Sequence, residues 1–326
     1  MSQKITLISF DHWGYDIHIV DALKKNGIDA NHIKIGGFKH KNIFAQLRNT
    51  FSKIFLDKNP KKILRQEYIL EKLNNLGKQN QILVINPDVI DLKYHLEIKK
   101  YTKKYIAYLY DSIERCPVKH LLEGVFDDIY SFDKNDIEKY KLLPITNYIY
   151  FEKEKITTEI KQKFIYIGSI DNRLKILNIF GENLKLNNQS FAFYAIGKKA
   201  FVNQLEQFFL GKNKNIIFKR KRFTQEQTLN KYRQSHIIID LIRENQVGIS
   251  FRIFEAMGLN KKVITNNKNV ENYGFYNSGN ILIMNEDFKI SDNLFLESNY
   301  NALENGVYEK YTVDTWVKCV FGLKNN

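Results

Sequence analysis

Short runs of β-branched and aromatic residues alternate with longer amphipathic stretches along this whole chain, and no other feature limits its fold as strongly. Repeated strand–helix–strand order builds parallel sheets with helices on both faces, the doubly wound α/β class. The pattern predicts first-half strands over 4–10, 33–36, 81–86, 104–110, 128–131 and 147–151. In the second half it predicts strands over 163–167, 191–195, 216–219, 237–241, 263–265 and 281–284. With roughly 150 residues per domain, a chain of 326 residues makes two such sheets. The polar stretch 152–163 is expected to link a domain over 1–155 to a second over 156–326, and apolar spacing over 308–321 predicts a terminal helix on the second.

Charge narrows the partners rather than the fold. Fifty Lys and Arg against thirty-six Asp and Glu leave +14, which suits nucleic acid, anionic lipid or a phosphorylated small molecule. Cys116 and Cys319 lie far apart, with neither zinc spacing nor a disulfide framework, so a reducing compartment is expected. The first residues lack the apolar core of a secretory signal, and no apolar run approaches the ~20 residues that span a bilayer. A cytoplasmic protein is expected, with a peripheral place on the inner membrane face left open. The stretch 39–65 sets Ile43, Phe44, Leu47, Phe51, Ile54 and Phe55 on one helical face among Lys39, Lys41, Arg48, Lys53, Lys58, Lys61, Lys62 and Arg65. That pattern reads either as a helix for an anionic membrane surface or as an ordinary core helix. The basic run at 219–222 reads as a solvated loop or a phosphate contact, and no recognised nucleic-acid motif accompanies it, so no nucleic-acid partner is expected. Glycine-rich dinucleotide and P-loop signatures, H-E-x-x-H and G-x-S-x-G are all missing from the sequence, and neither metal nor another cofactor is expected.

The segment 240–267 carries the most chemistry. A buried strand ends at Asp240 or Leu241, a loop follows, and a helix is expected from Gly248 to Met257, stopped by Gly258. Ile249, Ile253, Phe254 and Met257 would face the core, while Arg252 and Glu255, three apart, would project together from another face. In an open parallel sheet ligands bind beyond the carboxyl ends of the strands, and free N–H groups at Gly248, Ile249 and Ser250 would suit a phosphate. Arg252 would then complement a diphosphate and Glu255 would accept sugar hydroxyls; the plainer alternative is an exposed pair that only supports the helix. In the first domain, 10–16 follows the leading strand, and Gly14 permits close backbone approach beside Tyr15 and Asp16 at the carboxyl edge of the sheet. Asp11, His12 and Asp16 are candidates for a general-base site, the plainer alternative for Asp16 being a helix cap alone, and Asp111, at another strand end, is the stronger catalytic candidate.

Residues 248–258 (GISFRIFEAMG), the KKVITNN that follows and NYGFYNSGNILIM at 272–284 resemble the nucleotide-sugar half of GT-B glycosyltransferases. The likeness is greatest to the capsular and lipopolysaccharide transferases related to the CgeB proteins. It implies two Rossmann-like domains facing a cleft, with the donor held by Gly168, Ser169, Arg173 and Lys175 of FIYIGSIDNRLK and by Gly248, Ile249, Ser250, Arg252, Glu255 and Asn266. Glu255 matches the second Glu of the family's E-x7-E signature, whereas the first falls at Val247, whose side chain cannot accept a hydrogen bond. The activity so implied is metal-independent transfer of a sugar from a nucleotide-sugar to a hydroxyl of a saccharide or lipid-linked saccharide during capsule, exopolysaccharide or lipopolysaccharide assembly. Two other classes remain open in the sequence. One is a non-catalytic sugar-binding or partner subunit with the same fold, favoured by Val247; the other is a nucleic-acid-binding protein, favoured only by charge.

Overall fold

The computed structural model describes residues 3–36, 60–153, 158–243, 246–285 and 293–324. The chain divides into two compact units, one made of Met1–Thr146 with Val313–Asn326 and the other of Asn147–Thr312. Each holds one six-stranded, fully parallel sheet.

The first unit contains β1 (Lys4–Ser9), β2 (Asp29–Lys34), β3 (Gln79–Ile85), β4 (Thr102–Leu109), β5 (Asp128–Ser131) and β6 (Leu143–Pro144), in the order β2-β1-β3-β4-β5-β6. The second contains β7 (Gln162–Ser169), β8 (Phe191–Ile196), β9 (Ile216–Lys219), β10 (Ser235–Asp240), β11 (Lys262–Thr265) and β12 (Ile281–Ile283), in the order β12-β11-β10-β7-β8-β9. Central strands of a parallel sheet are covered on both faces and so read as unbroken apolar runs. Ile82–Ile85 and Tyr105–Leu109 are accordingly buried without alternation. Ile8, Ile82, Val84 and Tyr105 centre the first core, and Phe164, Phe180, Phe193, Ile237 and Ile239 the second.

Three expectations are corrected. The segment 147–151 is not a sheet strand: it makes one parallel bridge, Ile149 to Thr312, and β6 at Leu143–Pro144 takes its place at the sheet edge. Its alternating apolar residues instead pack on the helix Phe251–Gly258, with the Tyr148 and Phe251 rings 5.2 Å apart. Gly258 does not stop that helix but is its last residue; a Cβ there would meet the Phe151 ring at 2.6 Å, and the left-handed turn falls at Asn260 (φ 49°). The terminal helix Val313–Phe321 belongs to the first unit and not the second. Its buried Trp316 donates to the Thr146 carbonyl at 2.9 Å and lies 5.3 Å from the Tyr108 ring, while Gln81 donates to the Phe321 carbonyl at 2.8 Å.

Of the basic stretch 39–65, residues 39–59 lie outside the described residues. Its end opens the helix Pro60–Leu76, where Lys62 pairs with Asp91 at 2.5 Å and Arg65 stacks 4.4 Å above the Phe10 ring. Those two cations are engaged with the first unit. Among the described residues no helix is long and apolar enough to cross a membrane.

Candidate functional site

In a doubly wound sheet the crevice forms where strand order reverses, beyond the carboxyl ends of the two strands that part company. In the second unit those strands are β7 and β10, neighbours in the sheet with Ile165 opposite Ile238. The Gly168–Ser169 turn leaves one, and Asp240 with the loop to Ser250 leaves the other.

Asp240 organises this edge. Its carboxylate is fully buried; one oxygen accepts from the Ser250 hydroxyl at 2.7 Å and from Arg252 at 2.6 Å, and the other accepts from the Thr265 hydroxyl at 3.2 Å. Arg252 also donates through Nε to the Ile167 carbonyl at 3.0 Å, so one guanidinium joins the ends of both strands. Burial opposes the Arg252 charge, but Asp240 outweighs it and raises the guanidinium pKa further.

The helix itself runs over Phe251–Gly258 with Ser250 at its cap, three residues later than expected from Gly248. Gly248 and Ile249 therefore lie in the approach loop. That loop is pinned from two sides: Asn267 donates to the Gly248 carbonyl at 3.2 Å, and Asn147 donates to the Ile249 carbonyl at 2.9 Å. Asn266 accepts from the Ile242 amide at 2.8 Å, holding the first turn of the same loop. Arg252 and Glu255 do not form an exposed pair. Glu255 is buried, with the Tyr150 hydroxyl donating to it at 2.7 Å; three residues along the helix its side chain points about 60° round from that of Arg252, towards the 147–151 segment rather than the sheet edge.

On the β7 side Arg173 is buried, and its Nε and Nη2 grip Asp171 at 2.8 and 2.7 Å while Nη1 donates to the Leu241 carbonyl at 2.7 Å. Burial raises the Asp171 carboxyl, yet the hydrogen bonds and charge of Arg173 and a bond from Arg243 prevail and hold it below its ordinary value. Lys175 is exposed. Gly168 is required by close approach: a Cβ there would lie 2.2 Å from the Tyr166 hydroxyl. That hydroxyl is buried, has no hydrogen-bond partner among the described residues, and belongs to a ring flanked by Arg252 at 5.4 Å and Arg173 at 5.9 Å. Burial raises the phenol pKa ahead of the opposing pull of both guanidiniums. Thus the structure brings Gly168, Ser169, Arg173, Arg252 and Ser250 around one sheet edge, with Asp240, Tyr166 and Tyr150 added as partners that sequence reading passed over.

In the first unit the reversal lies between β1 and β3. Asp11, in the left-handed region at φ 44°, accepts from Lys34 at 2.8 Å and from the Asp16 amide at 3.0 Å. Gly14 takes φ 75°, which lets the turn reach the helix Asp16–Lys25. His12 is exposed and stacks on Phe10 with ring centres 4.9 Å apart; Tyr15 precedes the helix. Asp16 is buried, and desolvation pushes its carboxyl up to about 6, Asp11 adding to the rise while hydrogen bonds from Ser9 and Tyr110 oppose it. Asp111, after β4, pairs with Arg115 at 2.7 Å. Asp88, after β3, is raised chiefly by burial, with Asp111 contributing, and one of its oxygens is buried with no hydrogen-bond partner among the described residues. No sequence signal marked Asp88, which sits in the ordinary turn Pro87–Val89. Among the described residues no cluster of three or more His, Cys, Asp or Glu is arranged to hold a metal ion.

Two six-stranded parallel sheets, each with helices packed on its faces and one strand-order reversal, define the GT-B type of two-domain Rossmann-like fold. Solved structures sharing it include a glycosyltransferase from Rickettsia africae ESF-5, at TM-score 0.58 and 14% identity over 98% of this chain and 97% of that one. The apo form of the lipopolysaccharide outer core galactosyltransferase WaaB matches at TM-score 0.56 and 12% identity, over 98% of this chain and 99% of that one. A UDP-GlcNAc 2-epimerase from Neisseria meningitidis, bound to UDP-GlcNAc, matches at TM-score 0.56 and 13% identity over 98% of each chain. No family model and no curated protein matches the sequence.

Proposed function

We propose that this protein is a glycosyltransferase that takes a nucleotide-activated sugar at the β7/β10 edge and passes it to a hydroxyl of a surface-polysaccharide acceptor. One observation carries the reading: the buried Tyr166 hydroxyl, without a partner among the described residues, lies over Gly168 on a ring flanked by two guanidiniums, one of which, Arg252, shares an Asp240 oxygen with Ser250 at the cap of a helix. A buried donor of this kind is worth most when a ligand oxygen completes it. The diphosphate would lie against Gly168, Ser169 and the backbone amides of Gly248 and Ile249 in the approach loop and of Ser250 at the helix cap, with exposed Lys175 adding charge. Arg173 and Arg252, engaged with Asp171 and Asp240, position the two strand ends rather than carry the phosphate alone. Glu255, one oxygen held by Tyr150, would accept the ribose hydroxyls, and Asn266 shapes the loop beside them.

In the transfer the acceptor oxygen bonds to the anomeric carbon as the bond to the diphosphate oxygen breaks, and the hydroxyl proton goes to a carboxylate or an imidazole. Asp111, Asp11, His12 and the newly found Asp88 are the candidates in the first unit, with Gly14, Tyr15 and Asp16 on the acceptor side. Helix N–H groups and cationic side chains offset the leaving charge, so turnover should persist in excess EDTA. The capsule or lipopolysaccharide setting, a lipid-linked saccharide acceptor and a cytoplasmic site at the inner membrane face rest on the resemblance to CgeB-related transferases. The similarly folded 2-epimerase solved with UDP-GlcNAc makes uridine nucleotides the first donors to try. Titration calorimetry with UDP and a panel of UDP-sugars, followed by mass spectrometry of acceptor products, tests the proposal. Binding with acceptor-dependent release of the nucleotide supports it; no binding of any nucleoside diphosphate overturns it, and conversion of the donor sugar without an acceptor would make the protein an epimerase.

A further inference from the structure

The helix Ala200–Leu210 faces the wrong way for a helix on a sheet. Its inner side buries only Ala200 and is otherwise polar: Gln204 donates to the Phe218 carbonyl at 3.2 Å, and Gln207 donates to the carbonyls of Asn213 at 2.7 Å and Ile216 at 3.0 Å. Two glutamine amides therefore fasten the helix to the edge strand β9. Its apolar side points outward, with Phe201, Leu205, Phe208 and Phe209 at the i, i+4, i+7, i+8 spacing of one stripe and Val202 beside them. Phe208 is 82% exposed and Phe209 72%, and their rings pack edge to face on each other. An ordinary surface helix of an α/β protein buries this stripe; here hydrogen bonds hold it in solvent.

The charge around the stripe says what it meets. Lys198 and Lys199 precede the helix, Lys212 and Lys214 follow it, and Lys219 to Arg222 continue from β9; all eight are exposed. From 198 to 222 the sole acidic residue is Glu206. A second copy of the chain docking through the same face would bring these lysine-rich ends against one another in either orientation. An apolar stripe ringed by cations is instead the composition of a helix lying in the headgroup region of an anionic bilayer. We propose that Ala200–Leu210 is a docking helix for anionic membrane, with the phenylalanines entering the acyl boundary and the flanking lysines meeting lipid phosphates. This goes beyond the glycosyl-transfer reading, and its test needs no turnover.

The test uses the full chain, co-sedimented with neutral phosphatidylcholine vesicles and with vesicles about one-third phosphatidylglycerol, at low and high salt. Two variants accompany it, F208S/F209S and K198Q/K199Q/K212Q/K214Q, each checked for an unchanged unfolding midpoint and for oligomeric state by light scattering. The parent should bind anionic vesicles, bind neutral ones weakly and release as salt rises. The serine pair should weaken binding about tenfold or more, and the glutamine set should remove the preference for anionic lipid. The proposal is overturned if the parent ignores anionic vesicles at low salt or if the serine pair binds as well as the parent. It is equally overturned if the parent is a dimer, indifferent to vesicles, that the serine pair dissociates, which would assign the stripe to a second copy.

Discussion

Arg252 and Asp240 form a buried ion pair at 2.6 Å that closes the β10 edge, and the same guanidinium reaches the Ile167 carbonyl of β7. Removing one partner strands the other. Arg252→Met should therefore destabilise the second unit by about 3 to 5 kcal/mol, read as a fall in urea midpoint, because the Asp240 carboxylate has no access to water. The double variant with Asp240→Asn should recover part of the loss, since no unpaired charge remains. A midpoint unchanged by Arg252→Met would show that the pair holds nothing.

Tyr166→Phe separates stability from binding. The hydroxyl is buried without a partner among the described residues, so its removal should stabilise the free protein by about 1 to 2 kcal/mol. If a ligand oxygen is its intended partner, nucleotide affinity should fall by about tenfold in the same variant. Stabilisation with unchanged affinity would move the diphosphate away from Gly168.

The strands were legible because Ile237–Ile239, Tyr105–Leu109 and their kin are unbroken apolar runs, which only a doubly covered sheet accommodates. The donor edge was legible in outline, as a strand end followed by a loop and a helix. Its wiring was not: Arg252 meets Ile167 and Glu255 meets Tyr150 across long stretches of chain, and a helical spacing of three says nothing of such partners. Tyr166 reads as a core residue in a strand, and only the glycine two positions on shows that its hydroxyl occupies space at the turn. The same limit explains the terminal helix. An amphipathic pattern reports that Trp316 and Val320 need covering, but not that the first unit covers them. The stripe of Ala200–Leu210 points the other way, since periodicity alone sends it to the core and only the Gln204 and Gln207 bonds reveal it as outward.

Glu255→Gln keeps the shape of the side chain and an oxygen to accept from Tyr150, so the unfolding midpoint should hardly move. A charge-assisted bond to a ribose hydroxyl contributes about 1.5 to 3 kcal/mol, so donor affinity should drop between about tenfold and a hundredfold. Tyr150→Phe should do the reverse, costing stability by about 1 to 3 kcal/mol while leaving a carboxylate for the ribose. Equal donor affinity in Glu255→Gln and the parent would leave Glu255 a packing residue.

Asp16 supplies a pH signature in the first unit. Its carboxyl is raised from 3.8 to about 6 by desolvation first, with the Asp11 charge adding and hydrogen bonds from Ser9 and Tyr110 opposing. A carboxyl raised by folding binds its proton more tightly in the native state, so its contribution to stability is full below pH 3.8 and is lost as pH rises through about 6. Asp16→Asn cannot titrate and escapes that loss. The stability of the variant relative to the parent should therefore climb by on the order of 2 to 3 kcal/mol from pH 4 to pH 7 and stay level above it, whatever constant offset the amide introduces. Urea unfolding of both proteins across that range measures the climb. A difference independent of pH would mean that Asp16 is ionised at its ordinary value, and a loss of transfer in Asp16→Asn without the climb would make the residue an acceptor contact instead of a buried proton store.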